Sequence, residues 1–300
     1  MAPAALLILT LLWLGFLLAE RIHLDRARRK IPLRIAVTGT RGKSSVVRML
    51  ASVMRESGRT VLAKTTGSEA NLVLPDGSER EIRRVGYPSI IEQKRLVHRA
   101  ARLGADVLVA EVMSVHPEMH RIETHRLLRP HLVLVTNFRV DHPGAQGDTR
   151  EAVAEVLALD VPSGATVLGP GEECLGAFEE NVRGRGAHLV KVERTGPPGD
   201  GSQVTGRVPS RDKGCVVFRP NVDLVRAAAV HLGVEEGAIE EGVSRTRRDI
   251  GALRVWRYEA QDAGSPCFVV NAFAANDPES TIQAHDRVLL SLIHISEPTR

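Results

Sequence analysis

The chain has 300 residues, of which 43% are hydrophobic and 25% charged, a composition typical of a globular protein and not of a disordered one. Aromatic residues make up 3% of the chain, which argues against a stacking platform for nucleic acid. The net charge of +4 favours acidic partners such as nucleotides, anionic polymers or lipid headgroups, without choosing among them. The three cysteines are widely spaced, so neither a disulfide framework nor a zinc site is indicated.

The N-terminal segment is long and apolar enough to be a membrane anchor. Residues 2–19 carry no charge, and their 18 residues are close to the minimum that spans a bilayer as a helix. Arginine and lysine residues follow directly, which places that flank in the cytoplasm. The alternative is a cleaved signal peptide, but no basic region precedes the apolar run. We predict a transmembrane anchor over residues 1–20 and a basic juxtamembrane linker over residues 21–33.

Downstream of the anchor, short apolar runs alternate with amphipathic helical patterns. Residues 34–38, 105–110 and 131–136 are continuous apolar runs that predict buried strands. The other predicted strands are 60–64, 165–168, 253–259 and 267–271, the predicted helices are 46–57, 90–103, 149–159 and 223–232, and a turn at 75–77 joins a hairpin of 71–74 with 81–85. This alternation predicts an α/β fold with a parallel sheet covered on both faces.

Polar residues stand where the apolar strands end. Thr38 is followed by Gly39, Thr66 comes just after the strand at 60–64, and Glu111 and Asn137 follow the next two runs. In parallel sheets, ligands bind beyond the carboxyl ends of the strands. The sequence therefore predicts a single site at that edge of the sheet.

A glycine-rich loop, GTRGKSS, occupies residues 39–45 between a predicted strand and a predicted helix. Such a loop directs backbone N–H groups at a phosphate, and the helix dipole adds positive potential. Lys43 would reach the outer phosphates, and Ser44 would place its hydroxyl on Mg²⁺. The loop is a shortened form, because the common motif has a glycine where this chain has Val37. The sequence thus predicts ATP and Mg²⁺ as cofactors.

The loop resembles the short phosphate loop of the Mur ligase superfamily. Three further segments resemble that family in the same order, namely AEVMS at 110–114, TNFRVDH at 136–142 and FAANDP at 273–278. Within the superfamily, the chain is similar to the membrane-anchored ligases of poly-γ-glutamate synthases in its anchor, in VTGTRGKSSVVR, in TTG at 65–67 and in NAFAANDPEST. This resemblance extends over roughly residues 1–290.

The resemblance implies a set of residues for each role. The nucleotide-binding residues would be Gly39, Thr40, Arg41, Gly42, Lys43, Ser44, Ser45 and Asn276. The metal ligands would be Ser44, Thr66, Glu111 and His142, and the catalytic residues Lys43, Glu111 and His142. Oxygen ligands suit Mg²⁺ on general grounds, whereas His142 as a second-metal ligand rests on the resemblance.

Several of these residues also have a structural interpretation. Glu111 could cap a turn, His142 could be a hydrogen-bonded loop residue, and Asn276 could satisfy backbone groups at a strand end. Three more histidines, His116, His120 and His125, lie in a predicted helical stretch and are expected to be solvated or partly in the core.

The chain departs from the superfamily at three points. Many Mur ligases carry a carbamylated lysine after the Asp-His segment, but no lysine lies between Lys94 and Lys191 here. Asn276 stands where the wider family has histidine. The family's C-terminal domain is missing, and residues 291–300 (SLIHISEPTR) look like sequencing-adapter read-through. We therefore expect a truncated record in which residues 34–290 form the Mur-ligase-like ATP-binding domain.

The resemblance implies an ATP-dependent amide ligase that adds glutamate to a growing poly-γ-glutamate chain. It also implies membrane partner subunits and a catalytic body in the cytoplasm, with no nucleic-acid partner. Three alternatives are another Mur-type ligase of the folylpolyglutamate kind, a membrane-anchored ATPase without ligase activity, and a fragment that binds nucleotide without turnover.

Overall fold

The computed structural model describes residues 2–67, 69–84, 86–171, 176–193, 218–247, 253–259 and 266–273, together with residues 281, 282, 284–286 and 288. The first helix, α1, spans Ala2–Arg29. It contains a stretch long and apolar enough to cross a membrane, and none of that stretch is buried. The helix does not break at residue 20, since residues 21–29 of the predicted basic linker continue it. Its second half packs on the body through Leu24 and Ala27.

The body is built on a twisted sheet of eight strands among the described residues. They are β1 (Leu33–Thr38), β2 (Val61–Thr65), β3 (Asn71–Val73), β4 (Glu79–Glu81), β5 (Val107–Glu111), β6 (Leu132–Val135), β7 (Thr166–Pro170) and β8 (His188–Val192). The strand order is β4-β3-β2-β5-β1-β6-β7-β8. From β2 to β8 all neighbours are parallel, whereas β3 and β4 form an antiparallel edge. The predicted parallel sheet is therefore confirmed.

Helices cover both faces of this sheet. After α1, the helices of the described residues are α2 (Lys43–Glu56), α3 (Ile91–Arg102), α4 (Pro117–Arg121), α5 (Pro143–Gln146), α6 (Arg150–Ala158), α7 (Gly176–Gly184), α8 (Arg219–His231) and α9 (Glu236–Ser244). A π-helical segment, Ile122–Leu128, continues α4. A separate antiparallel pair is formed by β9 (Arg254–Glu259) and β10 (Pro266–Asn271).

The core lies in two layers, one on each face of the sheet. Side chains of α2, α8 and α9 pack on one face, against alternate residues such as Ile35 and Val37 of β1. The other face is covered by α1 and α3 on one side and by α6 and α7 on the other. Because both faces are buried, the strands are apolar at successive positions, which is why they could be found in the sequence.

Four of the described elements were not predicted, namely α5, α7, β8 and α9. The edge strand β8 has only exposed and partly buried residues, and Lys191 interrupts its apolar residues, so it lacks a continuous apolar run. Helix α9 contains Gly237 and Gly242, and glycine weakens the helical signal. The predicted second strand of the hairpin, 81–85, was placed too late in the chain, since β4 ends at Glu81.

Gly242 allows α9 to approach α2 closely, and this contact is testable. A methyl group at Gly242 would lie 2.4 Å from Val53 Cα and 2.6 Å from Val53 N. We therefore expect Gly242→Ala to lower the free energy of unfolding by about 1–3 kcal/mol, as measured by urea unfolding.

Gly237→Ala in the same helix is the matched control, since nothing lies within 4 Å of a methyl group there. It should be neutral or stabilise the protein by about 1 kcal/mol. Equal effects of the two substitutions would contradict the close packing of α9 on α2.

Candidate functional site

The glycine-rich loop leaves β1 in a conformation that only glycine adopts easily at two positions. Gly39 has φ +114° and Gly42 has φ +85°. A methyl group at Gly39 would lie 2.9 Å from the backbone N of Thr136, and one at Gly42 would lie 2.7 Å from the Asn221 side chain. The loop is thus pressed between the end of β6 and the start of α8. Asn221 was not found from the sequence, because no motif connects it with the loop.

Asn137, at the end of β6, holds the loop through its backbone and its side chain. Its backbone carbonyl accepts from Thr40 N at 3.3 Å. Its side-chain Oδ1 accepts from Arg41 N at 3.2 Å, and its Nδ2 donates to Arg41 O at 2.9 Å. Farther along the same segment, Asp141 Oδ2 lies 3.4 Å from Arg41 Nη2. The predicted TNFRVDH segment therefore lies directly against the loop.

The first turn of α2 points at the space enclosed by the loop. Gly42 is the N-cap residue, and no side chain caps the N–H groups of this 14-residue helix. Lys43 lies over the loop, where its ammonium donates to the carbonyl oxygens of Gly39 at 2.7 Å and Thr40 at 3.2 Å. Backbone N–H groups, the helix dipole and a lysine ammonium are together suited to bind an anion.

Glu111 joins this anion site to two neighbouring strand ends. Its Oε2 atom accepts a hydrogen bond from the Ser44 hydroxyl at 2.7 Å and another from the backbone N of Thr66 at 2.7 Å. The side chain is buried, with 3% of its surface exposed. The structure therefore brings Ser44, Thr66 and Glu111 together, as the sequence predicted.

This group of residues suits a hard divalent cation. The Ser44 hydroxyl and the Glu111 carboxylate are oxygen donors in contact, one residue away from the lysine that faces the anion site. Within the described part of the chain, no group of three or more His, Cys, Asp or Glu side chains could hold a metal ion. A cation here would accordingly rely on few protein ligands and on oxygens of a bound phosphate, which is how Mg²⁺ is commonly held.

His142 is placed apart from that group. Its backbone has φ +53°, its side chain is 57% exposed, and its Nε2 lies 3.8 Å from Asp141 Oδ2. Among the described residues, no hydrogen bond or ion pair joins His142 to Glu111. Its connection to the loop runs through Asp141 and Arg41. The predicted nucleotide-binding residue Asn276 and the C-terminal residues 291–300 lie outside the residues that the structure describes.

Glu123 supports the strand end that carries Glu111. It is fully buried in the π-helical segment and accepts hydrogen bonds from the backbone N of Met113 at 3.0 Å and of Ser114 at 2.9 Å. Gln93 donates to both the Glu123 carboxylate at 2.6 Å and the backbone carbonyl of Glu111 at 2.9 Å. Burial raises the pKa of Glu123, although the hydrogen bonds from Ser114 and Gln93 act in the opposite direction. Nothing in the sequence pointed to this residue.

A buried histidine and aspartate lie beneath the loop. His120 Nδ1 is 2.9 Å from Asp160 Oδ1, and the hydroxyl of Thr38, at the end of β1, donates to Asp160 Oδ2 at 2.5 Å. His120 was expected to be solvated or partly in the core, and it is in the core, with 1% of its surface exposed. Burial lowers the pKa of His120, but the charge of Asp160 and the hydrogen bond to it raise the pKa by more. His116 is exposed and His125 is partly buried.

A buried ion pair lies next to the end of β2. Lys64 is 1% exposed, and its Nζ lies 3.0 Å from Glu92 Oε2. Arg84 also binds Glu92, with Nε 2.8 Å from Oε1. Burial acts to raise the pKa of Glu92, but the hydrogen bond from Arg84 and the charge of Lys64 lower it below its usual value. The Lys64–Glu92 ion pair holds the first turn of α3 against β2, the strand that Thr66 follows.

Comparison with known proteins agrees with this fold. Residues 37–159 match the family model of the Mur ligase middle domain. This segment contains the loop, Glu111 and His142. This part of the chain is therefore similar to a Mur ligase middle domain.

Two individual proteins are similar to this chain over most of its length. The chain is 32% identical to the capsule biosynthesis protein CapB of Bacillus anthracis, over 90% of this chain and 56% of the relative. It is 28% identical to the PGA synthase CapB of Bacillus subtilis, over 86% of this chain and 64% of the relative. The chain thus spans less than two thirds of the length of these curated relatives.

A solved structure shares the fold. The bifunctional folylpolyglutamate synthase/dihydrofolate synthase from Yersinia pestis, complexed with AMPPNP and Mn ion, has a TM-score of 0.55 at 16% identity. The match covers 77% of this chain and 60% of that chain. At this identity the likeness concerns the fold alone.

The His120–Asp160 pair makes stability depend on pH. Because the pKa of His120 is raised in the folded state, the stabilisation it gives is complete below the unfolded pKa of about 6.5. This stabilisation is lost as the pH rises through the higher pKa of the folded protein. We expect His120→Gln to lower the free energy of unfolding by more at pH 6 than at pH 9, as measured by urea unfolding.

His131→Gln is the control, because burial lowers the pKa of His131. A lowered pKa favours neutral histidine in the folded state, so the pH trend of this variant should have the opposite sign. Parallel trends for the two variants would contradict the interaction of His120 with Asp160.

Proposed function

We propose that this chain forms the nucleotide-binding part of an ATP-dependent amide ligase that adds glutamate to a growing poly-γ-glutamate chain. The observation that carries the proposal is the contact of Ser44 with Glu111 beside the uncapped start of α2, because it unites an anion site with oxygen ligands. The similarity to the PGA synthase CapB supports the product. The nucleotide and the divalent ion named for the Yersinia pestis enzyme are consistent with the cofactors.

The cofactors in this proposal are ATP and Mg²⁺. Residues 39–45 would hold the phosphates, with the N–H groups of the α2 N-terminus directed at them and the Lys43 ammonium beside them. Ser44, Glu111 and Thr66 would lie at the metal, and His142 would lie at a second ion. When bound, Mg²⁺ neutralises part of the phosphate charge. Asn276 remains a proposed nucleotide-binding residue on the basis of the family resemblance alone.

The chemistry proceeds in two steps. A carboxylate is a poor electrophile, so its oxygen first attacks the γ-phosphorus of ATP, which forms an acyl phosphate and releases ADP. The amine of glutamate then attacks the acyl carbon, loses a proton, and expels phosphate as the amide bond forms. The protein's contribution is positioning and charge. Lys43 supplies a fixed positive charge, and the glycines at 39 and 42 let the backbone approach the phosphates closely.

The membrane is the proposed location. Helix α1 would insert in the bilayer, with the catalytic body on the cytoplasmic side where ATP is available. The polymer acceptor is a polyanion, and an exported polymer accounts for an anchored enzyme. Partner subunits in the membrane are part of this proposal.

Ser44→Ala tests the metal assignment. Loss of the hydroxyl removes one oxygen ligand and one hydrogen bond to Glu111, so binding of AMPPNP in the presence of Mg²⁺ should weaken by about ten-fold or more. Without Mg²⁺ the variant and the parent should bind alike. Isothermal titration calorimetry with and without Mg²⁺ measures both values.

The matched control for this experiment is Ser57→Ala at the other end of α2, where the hydroxyl donates only to Met54 O. Its affinity should equal that of the parent protein under both conditions. If Ser44→Ala weakened binding equally with and without Mg²⁺, the role of Ser44 at the metal would be wrong.

Lys43→Ala tests the function as a whole. Membranes containing the protein are incubated with ATP, Mg²⁺ and labelled glutamate, and both phosphate release and labelled polymer are measured. Because Lys43 supplies charge at the phosphates, we expect the variant to lose both activities by about 100-fold or more. Lys191→Ala, which removes a lysine from the edge strand β8, should keep both.

Other outcomes separate the alternative functions. Phosphate release that does not depend on glutamate would support an ATPase without ligase activity. Transfer of glutamate to a folate acceptor instead of a polymer would support a folylpolyglutamate-like ligase. Nucleotide binding without any turnover would leave the chain as a binding fragment.

A further inference from the structure

Helix α1 consists of an exposed half and a docked half. The side chains of its apolar stretch are exposed to solvent, with Leu6 at 68% and Leu12 at 65%. Farther along, Leu24 and Ala27 are buried in the core layer that also contains Leu96 and Val97 of α3. The exposed half continues the same helix without a break. Because the docked half is packed on the body, that packing sets the direction of the exposed half.

The docked half runs parallel to α3. Glu20 forms an ion pair with Lys94, and one turn later the ring of His23 stacks on the ring of His98, with centroids 4.6 Å apart. The residue numbers of both partners increase from the first pair to the second, so the two helices run in the same direction. The exposed, apolar half of α1 consequently extends past the N-terminal end of α3.

The N-terminal end of α3 lies at the carboxyl edge of the sheet. Gln93, in its first turn, donates to the carbonyl of Glu111 at 2.9 Å, and Glu111 ends β5. Glu92 contacts Lys64, next to the last residue of β2, at 3.0 Å. At the other end, Asp106 follows α3 and accepts from Leu33 N at 3.0 Å, where β1 begins. Helix α3 thus starts beside the candidate site and ends at the opposite edge.

The parallel packing of α1 on α3 and the position of the start of α3 together determine where the apolar half of α1 points. It extends from the edge of the sheet that carries the loop and Glu111, and its 18 residues would reach about 27 Å beyond it. A bilayer that contains this segment must then lie over the site and not behind it.

Two exposed apolar side chains lie at the N-terminal end of α3, which is at the same edge of the sheet. Tyr87 precedes α3 and is 97% exposed, and Ile91 in the first turn of α3 is 56% exposed. Tyrosine is enriched at the membrane–water interface, where its ring is apolar and its hydroxyl is hydrated. Arg83 lies in the same connection from β4 to α3 and supplies a positive charge near anionic headgroups.

We propose that the carboxyl edge of the sheet faces the bilayer, with Tyr87 and Ile91 in contact with its headgroup layer. This proposal rests on the membrane location proposed above and adds an orientation to it. The acceptor chain then lengthens in the space between the phosphate loop and the membrane surface, so each new amide bond forms next to the bilayer.

The test compares two positions at opposite ends of α3. Cysteine is introduced as Ile91→Cys or Leu103→Cys in a full-length chain whose native cysteines at 174, 215 and 267 are replaced by serine. Both sites are exposed and apolar, at 56% and 46%, and they lie about 18 Å apart along the helix. Each is labelled with the fluorophore NBD, and the protein is reconstituted in vesicles of phosphatidylcholine and phosphatidylglycerol.

Quenching is measured with lipid that carries a nitroxide on its headgroup and, separately, with aqueous iodide. We expect the lipid quencher to remove most of the fluorescence at residue 91 and little at residue 103, and iodide to show the reverse order. Equal quenching at both sites, or stronger lipid quenching at residue 103, would overturn the orientation.

Flotation of the vesicles after an alkaline wash separates the two proposals. Protein that floats but shows no lipid quenching at residue 91 contradicts the orientation and leaves the membrane location intact. Protein that does not float contradicts both.

Discussion

The carboxylate of Glu111 is the point on which the candidate site depends, because it connects three strand ends at one edge of the sheet. It ends β5, receives the Ser44 hydroxyl from the helix that follows β1, and receives the Thr66 backbone N–H from the end of β2. A buried carboxylate must be matched by donors or by a cation, since an unpaired charge in the protein interior is costly. The same group therefore orders the loop, and in the proposed function it provides an oxygen for a metal ion.

The site is supported by ionisable groups that are buried and paired beneath it. Glu123 binds the backbone just after Glu111, and the His120–Asp160 pair binds the hydroxyl of Thr38 just before the loop. Removing one partner of such a pair would leave the other without its hydrogen bond in the protein interior, which destabilises the folded state. In each case a buried carboxyl group accepts hydrogen bonds from a strand end or from the residues just after it and holds that segment in position.

The grouping of the proposed site residues at one edge of the sheet was predicted from the sequence better than the borders of the helices and strands. The loop at 39–45, Thr66, Glu111 and Asn137 were found because each follows an apolar strand, and parallel strands bring such residues to one edge. Asn221, Gln93 and Glu123 were missed, because their partners are far away in the chain and no spacing rule links them. Helix α9 was missed because its packing on α2 outweighs its glycines.

The sequence by itself determined the α/β class, the position of the glycine-rich loop, the apolar N-terminal segment and the resemblance to the Mur ligase middle domain, because local patterns and motifs carry that information. Only the tertiary structure decided that residues 21–29 are helical and docked on α3, and that this helix leaves the body at the edge that carries Glu111. The direction of a helix relative to a sheet follows from long-range packing. No periodicity in the sequence encodes it.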